Sequence, residues 1–168
     1  MLVNWNSLHG DVFRDEPVLV TGGAGFIGSH LVEALVSLGA IVTVIDDLSG
    51  GSWSNLNGLT DCVRKVSASI LSEQAIEEAC RGQRFVFHQA AWGSVPKSLK
   101  VPVEYYNVNV MGTARVVEAA HRAGVHRVIY AGSSSAYGNP AVNDAPKVES
   151  QIPAPLSPYA ATKLAGEH

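Results

Sequence analysis

The stretch "LVTGGAGFIGSH", residues 19–30, sets four glycines between an apolar run and a helical pattern. Glycine carries a backbone-entropy cost in such a place, so some contact there must need the absence of a side chain. Val18-Leu19-Val20 reads as a buried strand of the parallel-sheet type. Ser29 to Leu38 then places Leu31, Val32, Leu35, Val36 and Leu38 on one helical face, and Gly39 stands where a C-cap belongs. Within this strand–turn–helix frame each glycine has a separate use. Gly22 permits the tight bend, Gly25 lets a pyrophosphate approach the backbone, and Gly28 lets helix and strand pack closely. The helix N-terminus adds free N–H groups and positive partial charge.

A second apolar run, Ile41-Val42-Thr43-Val44-Ile45, ends in Asp46-Asp47. A carboxylate at that tip, roughly 20 residues beyond the glycines, suits the hydroxyls of an adenosine ribose and repels a 2′-phosphate. The spacing therefore predicts a dinucleotide site that takes NAD rather than NADP. Asp46 is the first candidate, and Asp47 could share or take the role. A solvated strand end would show the same residues, so the pattern as a whole carries the reading.

Further along, a weak strand at 63–66 leads to a helix over 72–81, and Phe85 to His88 forms the next strand. A long helix is expected over 102–123, with Val108, Met111, Val116, Val117 and Ala120 inward. Val128 to Ala131 reads as a fifth strand, 138–158 as a Pro- and Asn-rich loop, and another helix starts near Tyr159. The loop-like stretch 48–58 is rich in Gly, Ser and Asn. Strand and helix alternate with short connections, which specifies an α/β fold, a doubly wound parallel sheet with helices on both faces. Residues 1–16 read as an amphipathic lead-in, and 17–168 as an NAD-binding Rossmann domain.

Composition sets outer bounds. The chain has 168 residues, enough for one domain, with 46% hydrophobic and only 16% charged residues. Average proteins carry about 25% charged residues, so a broad buried sheet is expected, or a face that normally rests against something else. A net charge of −3 without a basic run argues against a nucleic-acid partner. Cys62 and Cys80 form no CxxC or Cys/His cluster, which suggests reduced thiols, a cytoplasmic protein and no metal site. The start MLVNWNSLHGDVFRDEP has no signal-peptide pattern, and no apolar run approaches the roughly 20 residues of a membrane span.

Chemistry is expected at the carboxyl ends of the strands. Ser133-Ser134-Ser135 follows the fifth strand, and Tyr159-Ala-Ala-Thr-Lys163 opens the last helix. Residues four apart share a helix face, so Lys163 stands beside Tyr159. An ammonium in that position favours a phenolate, which makes such a tyrosine a usable base. A serine hydroxyl can hold the oxygen from which the proton leaves.

The segments TGGAGFIGSH, SSSAYG and SPYAATK, in that order, resemble the extended short-chain dehydrogenase/reductase family of sugar-nucleotide epimerases and dehydratases. The resemblance implies Tyr159 as base, Lys163 as ligand of the nicotinamide ribose, and Ser133, four positions before Tyr137, as assisting hydroxyl. It also implies cofactor contacts from Gly22, Gly25, Phe26, Ile27 and Gly28, and from Asp46, Asp47, Leu48, Ser49 and Gly50. Further cofactor contacts would come from Ser69, Ile70, Gln89, Ala90, Ala91 and Asn109, besides Tyr159 and Lys163. Substrate would touch Gly93, Ser94, Ser133, Ser134 and Tyr159. The segment HQAAWGSVPKS, 88–98, is similar to bacterial UDP-N-acetylglucosamine 4-epimerases; narrower UDP-galactose epimerases usually have lysine at the Gly93 position.

The implied activity is NAD-dependent 4-epimerisation of a UDP-sugar, with hydride passing from C4 to NAD and back to the other face. A related dehydratase or decarboxylase, and a non-catalytic NAD sensor, are the alternatives. A 4,6-dehydratase typically shows Asp-Glu after its Ser/Thr, where this chain has Ser134-Ser135. Retained Ser133, Tyr159 and Lys163 speak against a sensor. The family's usual Asp-Ile after the third strand is Ser69-Ile70 here, which implies weaker cofactor binding. Family members run to roughly twice this length and are expected to be homodimers. The chain is accordingly expected to be an N-terminal half that holds the NAD site and is inactive alone.

Overall fold

The computed structural model describes residues 4–59, 62–139 and 146–168. Five strands form one parallel sheet in the order β3-β2-β1-β4-β5. They are β1 (Pro17–Thr21), β2 (Ile41–Asp46), β3 (Val63–Ser67), β4 (Phe85–His88) and β5 (Arg127–Tyr130). This is the doubly wound Rossmann-like arrangement that the alternating pattern predicts. The chain order reverses between β1 and β4, which open a crevice at their carboxyl ends.

Helices cover both faces. They are α1 (Trp5–His9), α2 (Phe26–Ser37), α3 (Glu73–Cys80), α4 (Val95–Lys100), α5 (Pro102–Tyr106), α6 (Gly112–Arg122) and α7 (Pro158–Ala165). Successive strand residues point to opposite faces, so β1 feeds two cores. Val18 and Val20 pack with Val42, Val44, Val32, Leu35 and Leu56 beneath α2. Leu19 packs on the other side with Ile45, Val86, Ile76 and Val116 under α3 and α6. A strand buried on both faces must read as a continuous apolar run, as Val18-Leu19-Val20 does.

Three boundaries differ from the sequence reading. Helix α2 begins at Phe26, three residues early, because the glycine turn itself winds into the first helical turn. Segment 89–101, read without an element, holds the short helix α4, capped by Ser94 with Pro96 in its first turn. The helix expected over 102–123 is interrupted by a π turn, Asn107–Met111. That wider turn resets the inward face: Val116 and Ala120 are buried, but Met111 and Val117 are about half exposed, contrary to expectation. Asn109 comes inward instead and is buried.

The lead-in is docked on the sheet. Phe13 stands edge-on to Phe85 at 5.5 Å and lies 6.0 Å from Phe87. Among the described residues no helix is long and apolar enough to cross a membrane, and no cluster of metal-ligating side chains occurs.

The closeness of α2 to β1 yields a stability prediction. A Cβ at Gly28 would lie 2.2 Å from the Gly22 carbonyl oxygen, whereas one at Gly50 meets nothing within 4 Å. Gly28→Ala should lower the unfolding free energy by at least about 1–3 kcal/mol. Gly50→Ala should stay within about 0.5 kcal/mol of the parent. Urea unfolding of the two variants checks both.

Candidate functional site

The glycine turn between β1 and α2 is shaped by close contact on one side and left open on the other. Gly22 has φ of +70°, and a Cβ there would lie 2.7 Å from the Ala90 backbone. Gly23 is equally closed, with Val44 in the way at 2.7 Å. Gly25 is the opposite case: its Cβ would meet only the Gly22 oxygen, at 3.3 Å. The turn is also pinned from outside. Asp46 Oδ2 accepts the Ala24 amide at 2.9 Å, and the Ala24 carbonyl accepts from the Ser52 amide at 3.0 Å and from Asn55 Nδ2 at 2.8 Å. Gly25 is the N-cap of α2, and no side chain caps that helix. Its first N–H groups are therefore open to a partner.

They open on a cleft of about 440 Å³ at the sheet's switch point. Of the sequence-predicted cofactor residues, Gly22, Gly25, Phe26, Ile27, Gly28, Asp46, Asp47, Ser49, Gly50, Ile70, Gln89, Ala90 and Ala91 line it, as do the predicted substrate residues Gly93 and Ser94. Trp92, Lys97, Tyr105, Val108, Ile45, Gly51 and Ala68 also line it and had not been singled out. Trp92 and Lys97 sit within the segment HQAAWGSVPKS, but their convergence needs α4, which brings the Lys97 ammonium 4.1 Å from the centre of the Trp92 ring. Tyr105, fully buried, donates from its hydroxyl to the Ser94 carbonyl at 2.7 Å and stands edge-on to Trp92.

Asp46 is buried and has both oxygens engaged, since Oδ1 accepts the Leu48 amide at 2.8 Å. A carboxylate has about four acceptor positions, so two remain for a ligand. Asp47 is exposed, and its Oδ1 accepts the Ser49 amide at 2.9 Å. Leu48 and Ser69 do not line the cleft. Leu48 holds a positive φ of 62°, and Ser69 turns its Oγ back to accept the Leu71 amide.

The second group of predicted residues lies beside the cleft on α7 and after β5. Asn109 joins the two groups. Its Oδ1 accepts the Trp92 amide at 2.8 Å, and its Nδ2 donates to the Trp92 carbonyl and to Thr162 Oγ1, both at 3.1 Å. Thr162 Oγ1 in turn donates to the Tyr159 carbonyl at 2.7 Å. Helix α7 starts sharply because Ser157 accepts the Ala160 amide as N-cap and Pro158 takes the first position. Tyr159 is half-buried. Lys163 is 4% exposed, with its ammonium 4.2 Å from the centre of the Tyr130 ring. Burial pulls the Lys163 amine down to about 8, against a smaller opposing pull from Glu167. Tyr130 also donates from its hydroxyl to the Lys163 carbonyl at 3.2 Å. Ser133 caps a short turn over Ser134–Tyr137, with its Oγ 2.7 Å from that of Ser135. Ser134 is exposed, and its carbonyl accepts from Lys147.

This arrangement has close counterparts. The model of the NAD dependent epimerase/dehydratase family matches residues 18–168. A UDP-glucose 4-epimerase of Mycolicibacterium smegmatis is 42% identical over 153 residues, covering 89% of this chain and 48% of the relative. A UDP-N-acetylglucosamine 4-epimerase from Methanobrevibacter ruminantium superposes with a TM-score of 0.84 at 37% identity, over 92% of this chain and 49% of that one. The Thermus thermophilus UDP-glucose 4-epimerase solved with NAD gives a TM-score of 0.82 at 37% identity, over 90% and 49%. The chain thus spans about half the length of the relatives it matches. Since the family's model spans the chain from β1 through α7, this chain belongs to the NAD dependent epimerase/dehydratase family.

Proposed function

We propose that the cleft binds NAD and that this chain carries the dinucleotide and proton-transfer machinery of a UDP-sugar 4-epimerase. The observation that carries the reading is the uncapped start of α2, facing a cleft beside a turn in which Gly22, Gly23 and Gly28 leave no room for a side chain. The residues present fit the cofactor. The amides of Phe26, Ile27 and Gly28 suit a diphosphate, and the open face at Gly25 leaves room for its approach. Asp46 keeps acceptor capacity for ribose hydroxyls while holding the turn through Ala24. With Asp47 beside it, the strand end presents negative charge where a 2′-phosphate would lie.

Held there by the α2 amides and Asp46, NAD would supply the hydride-accepting and hydride-donating chemistry that inversion at a sugar C4 requires. The remaining work falls to the chain's own groups. Tyr159 accepts the proton of the 4-hydroxyl and gives it back after the sugar has turned. Lys163, four residues on, supplies a positive charge that favours the phenolate form. Ser133 holds the sugar oxygen. Trp92, Gly93 and Ser94 line the cleft, Trp92 is tied to α7 through Asn109, and a Cβ at Gly93 would meet nothing within 4 Å. This open space, together with the 88–98 segment, supports a UDP-N-acetylhexosamine as the preferred sugar nucleotide, with UDP-glucose as the smaller alternative.

Titration calorimetry of the purified chain should detect NAD binding, and no uptake at millimolar concentration would overturn the proposal. Asp46→Asn should weaken NAD by about tenfold and narrow its advantage over NADP, because one charge-assisted bond is lost. Tyr159→Phe should leave the NAD affinity of this chain near that of the parent; in an enzyme completed by joining the chain to the C-terminal half of a related UDP-sugar 4-epimerase, it should cut conversion of UDP-N-acetylglucosamine by about 10²–10⁴-fold. The low value for Lys163 has a signed consequence. Between about 8 and 10.5 the folded chain binds fewer protons at this amine than the unfolded chain, so Lys163 adds stability as pH rises through that window. Lys163→Met should remove that slope from the pH dependence of unfolding, and NMR of the parent's methylated Lys163 should show a midpoint near 8.

A further inference from the structure

His88 is 1% exposed, at the end of β4, the strand paired with central β1, and no step above uses it. Both ring nitrogens are engaged: Nδ1 lies 2.6 Å from Thr21 Oγ1, and Nε2 lies 2.9 Å from Thr113 Oγ1. The neighbours fix the direction of every bond. Thr113 gives its hydroxyl hydrogen to the Asn109 carbonyl at 2.6 Å, so toward His88 it can only accept. Nε2 must therefore carry the hydrogen, and Nδ1 of the neutral ring is left as an acceptor. Thr21 fills that need by donating to Nδ1, while its own oxygen accepts the Ala90 amide at 3.2 Å. Every bond in the chain is consistent with one tautomer.

We infer that His88 is a positioning residue, coupling the glycine-turn strand to the π turn that braces the catalytic helix. The relay runs from the Ala90 amide through Thr21, the imidazole and Thr113 to the Asn109 carbonyl. The Asn109 side chain continues it to Trp92 in the cleft wall and to Thr162 on α7, between Tyr159 and Lys163. The ring thus sits between the two halves of the site, one holding the dinucleotide and the other the proton-transfer pair. It is also tilted against Tyr130 at 5.8 Å, the ring over which Lys163 lies. An apolar residue would fill the same volume but leave Thr21 and Thr113 without their partner.

The inference deepens the reading of Tyr159 and Lys163 given above, and only its turnover arm rests on that reading. Long-range ¹⁵N spectra of the imidazole in the full chain should show a single neutral Nε2–H tautomer at neutral pH. An Nδ1–H ring, or averaging of the two forms, would overturn the inference. Thr113→Val should speed amide exchange at Trp92 and across α7 by about tenfold, because a buried partner is orphaned, and leave β2 and β3 unchanged. Thr113→Ser should restore slow exchange. Acceleration of equal size throughout the sheet would show a role in stability alone and overturn the inference. His88→Gln, which keeps a donor toward Thr113, should resemble the parent more closely than His88→Leu. In the completed enzyme, Thr113→Val should lower kcat by about tenfold with the NAD Kd within about twofold. Should the completed parent convert no UDP-sugar, the proposed activity fails, while the tautomer and exchange results on this chain still decide for or against the relay.

Discussion

The contact on which the site depends is the approach of α2 to β1, where Gly28 lies so near the Gly22 carbonyl that no side chain fits. It brings the helix start directly over the strand end. From that closeness follow the direction of the α2 amides, the shape of the turn and the position of the cleft. The contact does not hold itself. Asp46 reaches across from the neighbouring strand to the Ala24 amide, and Ser52 and Asn55 fasten the Ala24 carbonyl. A buried carboxylate is costly unless its oxygens are satisfied, and here two backbone amides satisfy it. The same side chain thereby joins the phosphate-facing turn to the ribose-facing strand end.

The second constraint is the strand order. With β1 at the centre and the chain turning back between β1 and β4, residues at the ends of β1, β2, β3 and β4 converge on one crevice. The wall opposite the glycine turn comes from the backbone after β4, and it has no regular structure until α4. Such a segment needs support, and it receives it from Asn109 and Tyr105, both buried and both bonded to its backbone. The π turn is what brings Asn109 inward. An uninterrupted α-helix from 102 to 123 would follow the apolar periodicity and place other residues there.

Elements legible in the sequence are those whose signal is local. Strands β1, β2 and β4 are readable because burial on both faces demands apolar runs, and β4 matches residue for residue, whereas β3, an edge strand that carries Arg64 and Lys65, gives only a weak signal. Helices α3 and α7 start within a residue of where the sequence places them, and the structure shows each capped by a serine, Ser72 and Ser157. The turn at Gly22–Gly28 was readable because only glycine tolerates those approaches. Less legible were α4, too short for periodicity, and the exposure of Met111 and Val117, which a regular helix would bury. His88 gave no sign of its role: one histidine at a strand end looks the same whether it fills space or joins two hydroxyls.

The α/β alternation, the glycine turn, the acidic strand end and the Tyr159–Lys163 spacing are written in the order of the residues. Each of these is a matter of neighbours along the chain and of the periods 2 and 3.6. Packing alone brings Trp92 and Lys97 to the cleft, lets Asn109 brace two elements, and joins Thr21 to Thr113 through His88. Those contacts link residues far apart in sequence, and their hydrogen-bond directions exist only once the strands and helices have packed.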